Sequence, residues 1–304
     1  MNGILIIDKP EGFTSHDVVA RVRRILETKK IGHTGTLDPF ATGVLVMLVG
    51  KATRLARFLD RDEKSYEATI RFGFETDTGD RTGARRDTKY AIRNTDVEPK
   101  VSNEKVRNIL PQFTGEIEQI PPMYSAKKVK GKKLYELARK GVEIEREAVK
   151  VKISALRITG NQSRDNNFKL EVVCSAGTYI RTLAEDIGRE IGIPCHLAEL
   201  RRIKAGKFNI AQAVSIEELE EMSEAQKINR ILVPMNEAVS HLPGQILTTE
   251  ELKRVQNGMK VDASFEGENV QNIRLIDADQ NLVAIGKYMK QEQQIQPRIV
   301  LINQ

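Results

Sequence analysis

Apolar residues recur along the chain in short blocks whose spacing distinguishes strands from helices. The runs GILIID (3–8) and VLVMLV (44–49) predict buried strands, because they are short, continuous and rich in branched side chains. Residues 65–74 alternate between apolar and polar, so Tyr66 shares a face with Phe72 and points into the apolar interior. The first quarter of the chain therefore predicts at least three strands of one core.

Helical spacing of apolar residues marks other segments. A helix capped by Thr14 or Ser15 is predicted to run to about residue 28, and a second runs from Ile180 to a glycine at 192. A lysine-rich helix is expected to stop at Gly141, and an acidic helix is expected over 215–226. Helices and strands mix without a regular βαβ rhythm, which favours an α+β fold.

The length and the C-terminal pattern indicate two domains. A chain of 304 residues suggests about two domains at roughly 150 residues each. Beyond about residue 240, short alternating stretches (NIRLID, NLVAIGKYM, RIVLIN) separated by turn residues predict a small β-barrel. We place the boundary between residues 1–235 and residues 236–304.

Composition narrows the class of protein. No apolar run approaches the ~18 residues that cross a bilayer, and the start MNGILIIDKP lacks the features of a secretory signal. Cys174 and Cys195 are the only cysteines, and the four histidines form no H-E-x-x-H motif. Neither G-x-G-x-x-G nor a phosphate-binding P-loop occurs. We expect a cytoplasmic protein without metal or nucleotide cofactor.

Positive charge is concentrated in one segment. Residues 125–140 hold seven basic side chains against one acid, so this segment alone accounts for the net charge of +6. From Ser215 to the end, nine basic residues face fourteen acidic ones, a balance of −5. A local excess is expected where one face meets phosphates, but a solvated lysine-rich helix and turn explains it equally well.

The segment GHTGTLDPFATG (32–43) contains the most distinctive carboxylate. Asp38 follows a glycine-rich turn and precedes a proline, so stiff backbone holds it. Such a position suits a nucleophile or general base. It also suits an aspartate that merely caps its own turn, and the local pattern alone favours this second interpretation.

Six ordered blocks nevertheless resemble the bacterial tRNA pseudouridine-55 synthases, the TruB family. They span residues 3 to about 208 and are GHTGTLDPFATGVL, DKPEGFTSHDVV, SYEATIRFGFETDTGD, PPMYSAKKVKGKKLYELARKG, CSAGTYIRTLAEDIG and AELRRIKAGKF. The resemblance implies a pseudouridine-synthase fold, with a mixed, largely antiparallel central sheet flanked by helices and a C-terminal PUA-like barrel. It also implies isomerisation of uridine 55 in the T-loop of tRNA, without a cofactor.

The resemblance also assigns residues to the site. Asp38 matches the catalytic aspartate, Tyr66 the tyrosine that stacks on the target base and handles the C5 proton, and Arg181 the arginine that pairs with the aspartate. The residues matching those that bind the flipped-out uridine and its neighbours are His33, Tyr66, Tyr179 and Leu200. Independently, a cation in the first turn of a helix is disfavoured, so Arg181 is expected to have a carboxylate partner.

The resemblance implies tRNA as the partner. In the family, the region matching 121–148 forms a clamp over the T-arm, so its lysines are expected to contact phosphates: Lys127, Lys128, Lys130 and Lys132. The acidic C-terminal domain either touches tRNA through Lys253, Arg254 and Lys260 or serves mainly structure. A monomer without an obligate protein partner or membrane contact is expected.

Two other function classes compete. One is an RNA-binding or RNA-folding protein, which would not need Asp38, Tyr66 and Arg181 together. The other is a hydrolase that pairs Asp38 with Asp77 or Asp80. It lacks a defined acid partner and metal ligands, so it ranks lowest.

Overall fold

The computed structural model describes residues 1–60, 62–86, 100–125, 127–129, 131–160, 166–222, 225–263 and 271–301. The strands within these ranges are, in chain order, β1 (Gly3–Lys9), β2 (Ile31–Thr34), β3 (Thr42–Val49), β4 (Lys64–Phe72), β5 (Glu75–Thr76), β6 (Arg85–Arg86), β7 (Gly115–Gln119), β8 (Lys128–Val129), β9 (Lys132–Lys133), β10 (Val149–Ile158), β11 (Asn167–Cys174), β12 (Cys195–Ala205), β13 (Phe208–Asn209), β14 (Gly244–Ile246), β15 (Val261–Asp262), β16 (Asn272–Ile276), β17 (Leu282–Met289) and β18 (Gln294–Val300).

The helices are, in the same order, α1 (Ser15–Ile25), α2 (Asn103–Ile109), α3 (Leu134–Ala138), α4 (Ile180–Ile191), α5 (Ile216–Glu221), α6 (Ala225–Ile231), α7 (Met235–Ala238) and α8 (Thr249–Gln256). Short 3-10 helices occupy Gly50–Phe58, Leu110–Phe113 and Ile210–Gln212. None of the helices in the described ranges has the length and apolar character needed to cross a membrane.

A sheet of nine described strands organises the first two thirds of the chain. Its order is β1-β3-β12-β4-β11-β10-β7, with β2 also beside β3 and β13 beside β12. Of the pairings described in this sheet, only that of β3 with β12 is parallel. The prediction of a mixed, largely antiparallel central sheet is confirmed.

Strand β3 is buried on both faces, as its continuous apolar run predicts. Val44, Val46 and Leu48 pack with the 3-10 helix Gly50–Phe58 and with the C-terminal part of the chain. Leu45 and Met47 point to the opposite face and pack against α1 and α5. The strand that follows the Asp38 turn is therefore fixed from both sides.

Strand β4 alternates as its sequence predicts. Tyr66, Ala68, Ile70 and Phe72 lie on its buried face and share one apolar cluster with α2 and α4. The strand ends at Phe72, where the following glycine adopts φ +127°. This cluster also contains the apolar neighbours of Asp38 in the turn, so the turn and β4 belong to one core.

The C-terminal residues form a second sheet of five described strands. Its order is β14-β16-β17-β18-β15, and it curls into a half-barrel, as the alternating C-terminal stretches predict. Ile285 and Ile299 pack in the same apolar cluster as Ile4 and Val46 of the central sheet. The boundary between residues 1–235 and 236–304 stays a prediction.

The lysine-rich helix expected to end at Gly141 is mostly absent. Instead, β8 and β9 form a short hairpin around Gly131 (φ +81°), and only the five residues of α3 are helical. A glycine in the left-handed conformation favours a turn and interrupts the helix there. The acidic helix expected over 215–226 is likewise divided, into α5 and α6.

Candidate functional site

Asp38 lies on the turn between β2 and β3, whose backbone is held by several hydrogen bonds. The Asp38 carbonyl accepts from the Ala41 N–H at 3.1 Å. The next carbonyl, that of Pro39, accepts from the Gly12 N–H at 2.8 Å and from Lys9 Nζ at 3.2 Å. About a third of the Asp38 side chain (32%) is accessible. The carboxylate is thus presented to solvent by a rigid support.

Ser15 braces the same turn from the start of α1. Its side chain is fully buried, and its Oγ accepts from the Leu37 N–H at 2.9 Å and lies 3.3 Å from the Leu37 carbonyl, to which it donates. Between the two candidate caps of α1, the structure selects Thr14, which forms a capping box with Asp17. The Ser15 hydroxyl is therefore available to hold the residue before Asp38.

Arg181 pairs with Asp38 through two bonds. Its Nη2 donates to Asp38 Oδ1 at 3.0 Å, and its Nε lies 3.0 Å from Oδ2. The Arg181 side chain, in the first turn of α4, is only 5% exposed. Such a forked guanidinium–carboxylate contact fixes the orientation of both groups.

The rest of the Arg181 guanidinium is also engaged. Nη1 donates to the Thr78 carbonyl at 2.9 Å, Nη2 donates to the Tyr124 carbonyl at 2.7 Å, and Nη1 lies 3.7 Å from Asp80 Oδ2. Asp80 is buried, and its Oδ1 accepts from the Thr82 N–H at 2.9 Å. Asp80 thus supports Arg181 instead of standing free beside Asp38 as a hydrolase partner would need to.

Asp77, the other acid that a hydrolase could recruit, is exposed. Its Oδ1 accepts from the Ala84 N–H at 2.8 Å, which closes the loop between β5 and β6. Sequence reasoning treated Asp80 only as a possible second acid. Its contact with Arg181 depends on how this loop folds, which no local pattern encodes.

Burial raises the pKa of Asp38 above its ordinary value, and Arg181 opposes that rise. The nearby negative charge of Asp80 adds to the rise. Ionised Asp38 therefore depends on Arg181. Any loosening of the ion pair favours the protonated, inactive form of a nucleophile or base.

Tyr66 lies beside the Asp38 turn and is 7% exposed. Burial raises the pKa of its phenol, and the neighbouring Arg202 guanidinium opposes the rise. Arg202 is opposite Tyr66 across β4 and β12, and it donates from Nε to the Val44 carbonyl at 2.7 Å and from Nη2 to the Gly35 carbonyl at 2.8 Å. This buried arginine, missed by sequence reasoning, joins the strand of Tyr66 to both ends of the Asp38 turn.

Lys9 is a second buried cation that sequence reasoning missed. Its side chain is fully buried, and Nζ donates to the carbonyls of Pro10, Phe13 and Pro39 at 2.8, 2.7 and 3.2 Å. Burial lowers its pKa to about 8, and Asp38 opposes the drop. A lysine at the end of a buried strand is itself unusual, and this position is the signal from which the residue could have been found.

His33 lies on β2, half-buried, at the entrance to the turn. Its ring packs edge-to-face on His16 of α1, with centroids 5.6 Å apart. Burial, followed by His16 and Arg202, lowers the pKa of His33 to about 4, so the ring is neutral near pH 7. The buried Nδ1 has no hydrogen-bond partner among the described residues. A neutral, partly exposed ring suits stacking against a base.

Tyr179 and Leu200 are the remaining predicted uridine-binding residues. The Tyr179 N–H donates to Gln119 Oε1 at 2.9 Å, and Gln119 Nε2 donates back to the Tyr179 carbonyl at 3.3 Å, which fixes the start of α4. Leu200 is 7% exposed and packs in the same cluster as Tyr66. Of the predicted site residues, Asp38 and Arg181 are in direct contact, and Tyr66 and Leu200 share the apolar cluster that includes Leu37 and Phe40 of the Asp38 turn. Within the described ranges, no group of His, Cys, Asp or Glu is arranged to hold a metal ion.

The predicted phosphate contacts lie in the hairpin that precedes α3. Lys128 and Lys132 are exposed and Lys127 is half-buried, whereas Lys130 lies outside the described residues. Lys128 is directly opposite Lys133 across β8 and β9. Like charges at opposed strand positions destabilise a hairpin, so an anion bound between them would relieve the repulsion.

Comparisons with known proteins give matches over most of the chain. Residues 23–180 match the model of the TruB family pseudouridylate synthase (N terminal domain), and residues 181–240 match that of the tRNA pseudouridylate synthase B C-terminal domain. The chain is 46% identical over 259 residues to a tRNA pseudouridine synthase B of Geobacter sulfurreducens, covering 85% of this chain and 82% of that protein. It is 43% identical over 261 residues to that of Bacillus subtilis, with the same two coverages.

A solved structure shares the fold over almost the whole chain. It is titled "Crystal Structure of a Cbf5-Nop10-Gar1 Complex", and its matching chain superimposes with a TM-score of 0.74 at 25% identity. The match covers 99% of this chain and 85% of that chain. The similarity therefore includes the C-terminal sheet as well as the central one.

Proposed function

The chain belongs to the TruB family of pseudouridylate synthases, and we propose that it isomerises uridine 55 in the T-loop of tRNA to pseudouridine. It is an isomerase that forms pseudouridine in tRNA, as its relatives named tRNA pseudouridine synthase B indicate. The choice of position 55 and the roles of individual residues belong to the proposal.

The reaction breaks the N1–C1′ glycosidic bond, turns the uracil and joins C5 to C1′. The proton on C5 leaves and N1 gains one, so there is no net change of oxidation state. An ionised Asp38 serves this reaction by acting covalently at the sugar or the base, or by removing a sugar proton. Tyr66 provides a flat surface for the base and a hydroxyl near the proton that moves.

The two-bond contact between Arg181 and Asp38 is the observation that carries the proposal. An aspartate that merely capped its own turn would not require a 95% buried arginine brought from a helix more than 140 residues away. The guanidinium opposes the rise that burial causes in the pKa of the Asp38 carboxyl and so favours its ionised form. A pure RNA-binding protein gains nothing from an arrangement that maintains a reactive carboxylate.

Access to Asp38 requires the uridine to leave its stack, which costs a few kcal/mol. In this proposal, the half-buried ring of His33 stacks on a nucleotide next to the extruded uridine. Lys127, Lys128 and Lys132, together with Lys130, offset the cost by contacting phosphates of the T-arm.

The protein is proposed to act in the cytoplasm, as a monomer without an obligate protein partner. Residues 1–235 carry the reaction in this proposal. In the C-terminal half-barrel, Lys260 is paired with Glu292, which leaves Lys253 and Arg254 as the candidate tRNA contacts.

Tritium release from tRNA transcripts labelled at uridine C5 tests the proposal. The unchanged protein is expected to release tritium, and Asp38→Asn, which keeps the size of the side chain but removes its charge, is expected to release none while still binding tRNA. Asp77→Asn is the matched control, because that carboxylate is exposed and accepts a hydrogen bond from the Ala84 N–H of its own loop.

A transcript carrying cytidine at position 55 tests which tRNA position is modified separately from the catalytic role of Asp38. Release from this transcript equal to that from the normal one would refute position 55 but leave the catalytic role of Asp38 intact. Release by Asp38→Asn at the normal rate would refute that role.

A further inference from the structure

The segment that carries the lysines is anchored directly on the helix of the catalytic arginine. We define the clamp base as residues 119–125, where the chain leaves β7, together with residues 143–146, where it returns. Thr182 Oγ1 lies 3.5 Å from the Ile120 carbonyl, and Arg181 Nη2 donates to the Tyr124 carbonyl at 2.7 Å. One of the hydrogen bonds that orient Arg181 therefore comes from the clamp base.

Arg146 joins the two halves of the clamp base. Its Nη1 donates to the Pro121 carbonyl at 3.2 Å, and its Nη2 lies 3.3 Å from Glu143. The side chain is 20% exposed, and its Nε is buried with no hydrogen-bond partner among the described residues. Arg146 thus ties the returning chain to the outgoing chain three residues before Tyr124.

Packing between the clamp base and α4 is incomplete around Tyr124. A cavity of about 740 Å³ lies between them, and its walls include Tyr124, Arg146 and Thr182. A wall beside such a space has fewer van der Waals contacts than a close-packed core provides. The position of the Tyr124 carbonyl therefore depends strongly on hydrogen bonds such as that from Arg146.

We propose that Arg146 is a positioning residue for the isomerisation: it holds the clamp base so that the Tyr124 carbonyl keeps Arg181 in its two-bond contact with Asp38. The inference rests on the proposed function, because it assumes that Asp38 is the reacting carboxylate. It adds a physical connection between the RNA-binding segment and the catalytic pair. When phosphates fix the lysine hairpin, the same chain fixes the carbonyl that orients Arg181.

If Arg146 has this positioning role, its replacement should change the pH dependence of the rate, which weaker RNA binding alone would not do. If the Tyr124 carbonyl shifts, Arg181 is held less firmly and opposes less of the rise in the pKa of Asp38 that burial causes. The ionised fraction at a given pH then falls. The rate of the chemical step declines, and its acid-side inflection moves to higher pH, while the affinity for tRNA stays close to normal.

Arg146→Met tests this, measured by single-turnover pseudouridine formation at saturating tRNA between pH 5 and 9, together with the Kd for tRNA. The expected result is a decrease in rate of about tenfold at pH 7, the effect of losing one charge-assisted hydrogen bond. The acid-side inflection should move to higher pH, and Kd should change by less than about threefold. Arg157→Met is the control, since that arginine is 69% exposed and pairs with Glu171 on the sheet.

Arg146→Lys covers the case in which Arg146→Met fails to fold. A lysine still donates one hydrogen bond to the Pro121 carbonyl, so a smaller shift of the inflection in the same direction is expected. An unmoved inflection in a folded Arg146 variant, or a change confined to Kd, would overturn the positioning role. If Asp38→Asn proved active, the proposed function itself would fail, and the two failures are therefore distinguishable.

Discussion

The brace between Ser15 and the Asp38 turn provides a sharp test of how the site is held. In Ser15→Ala the N–H of Leu37 loses its acceptor, and both residues are buried away from solvent. Leaving such a donor unsatisfied costs about 1–3 kcal/mol. The N-cap of α1 is unaffected, because Thr14 provides it.

This loss of free energy destabilises the turn that presents Asp38. A displacement of about 1 Å in a reacting group can lower a rate about 100-fold, so we expect a decrease between about 10- and 100-fold. Single-turnover pseudouridine formation at saturating tRNA measures the rate, and the midpoint of urea unfolding measures stability. Kd for tRNA should change little, since Ser15 is fully buried and cannot touch RNA.

Ser215→Ala is the matched control for general destabilisation. Ser215 caps α5, with its Oγ accepting from the Glu218 N–H at 3.0 Å, and its loss is expected to cost about 0.5–2 kcal/mol. It should lower the unfolding midpoint without slowing the reaction. The reasoning is refuted if Ser15→Ala leaves both rate and midpoint unchanged, or if the two variants slow the reaction equally.

Two further predictions concern charge. Arg181→Met should move the acid-side inflection of the rate to higher pH, because burial raises the pKa of Asp38 and Arg181 is the main influence opposing that rise; an inflection at the original pH would contradict this. Replacing Lys128 and Lys132 by glutamine should weaken tRNA binding and reduce the slope of log Kd against log salt concentration by up to about two, measured by filter binding at several salt concentrations. An unchanged slope would exclude direct phosphate contact by these lysines.

Several strands and helices that support the site could be predicted from local sequence patterns. The run of β3, the alternation of β4 with Tyr66 on the buried face, and the end of α4 at Gly192 all appear where the sequence predicts them. Burial imposes these periods on neighbouring residues, so a short window contains the information. The lysine hairpin was misinterpreted because lysine and leucine favour a helix, whereas the left-handed Gly131 sets a turn.

The contacts within the site could not be obtained in that way. Local reasoning indicated that Arg181 needed a carboxylate partner, and family resemblance pointed to Asp38, but only the packing of α4 on the central sheet places the two 3.0 Å apart. The supporting roles of Ser15 and Arg202 had no local signal, and that of Lys9 had only its unusual position at the end of a buried strand. Each is a buried polar group satisfied by a backbone carbonyl or N–H that the folded chain brings near. Hydrophobic periodicity thus specified the strands and helices around Asp38, whereas the pairing of buried polar groups, which depends on distances between remote segments, was decided by the tertiary structure alone.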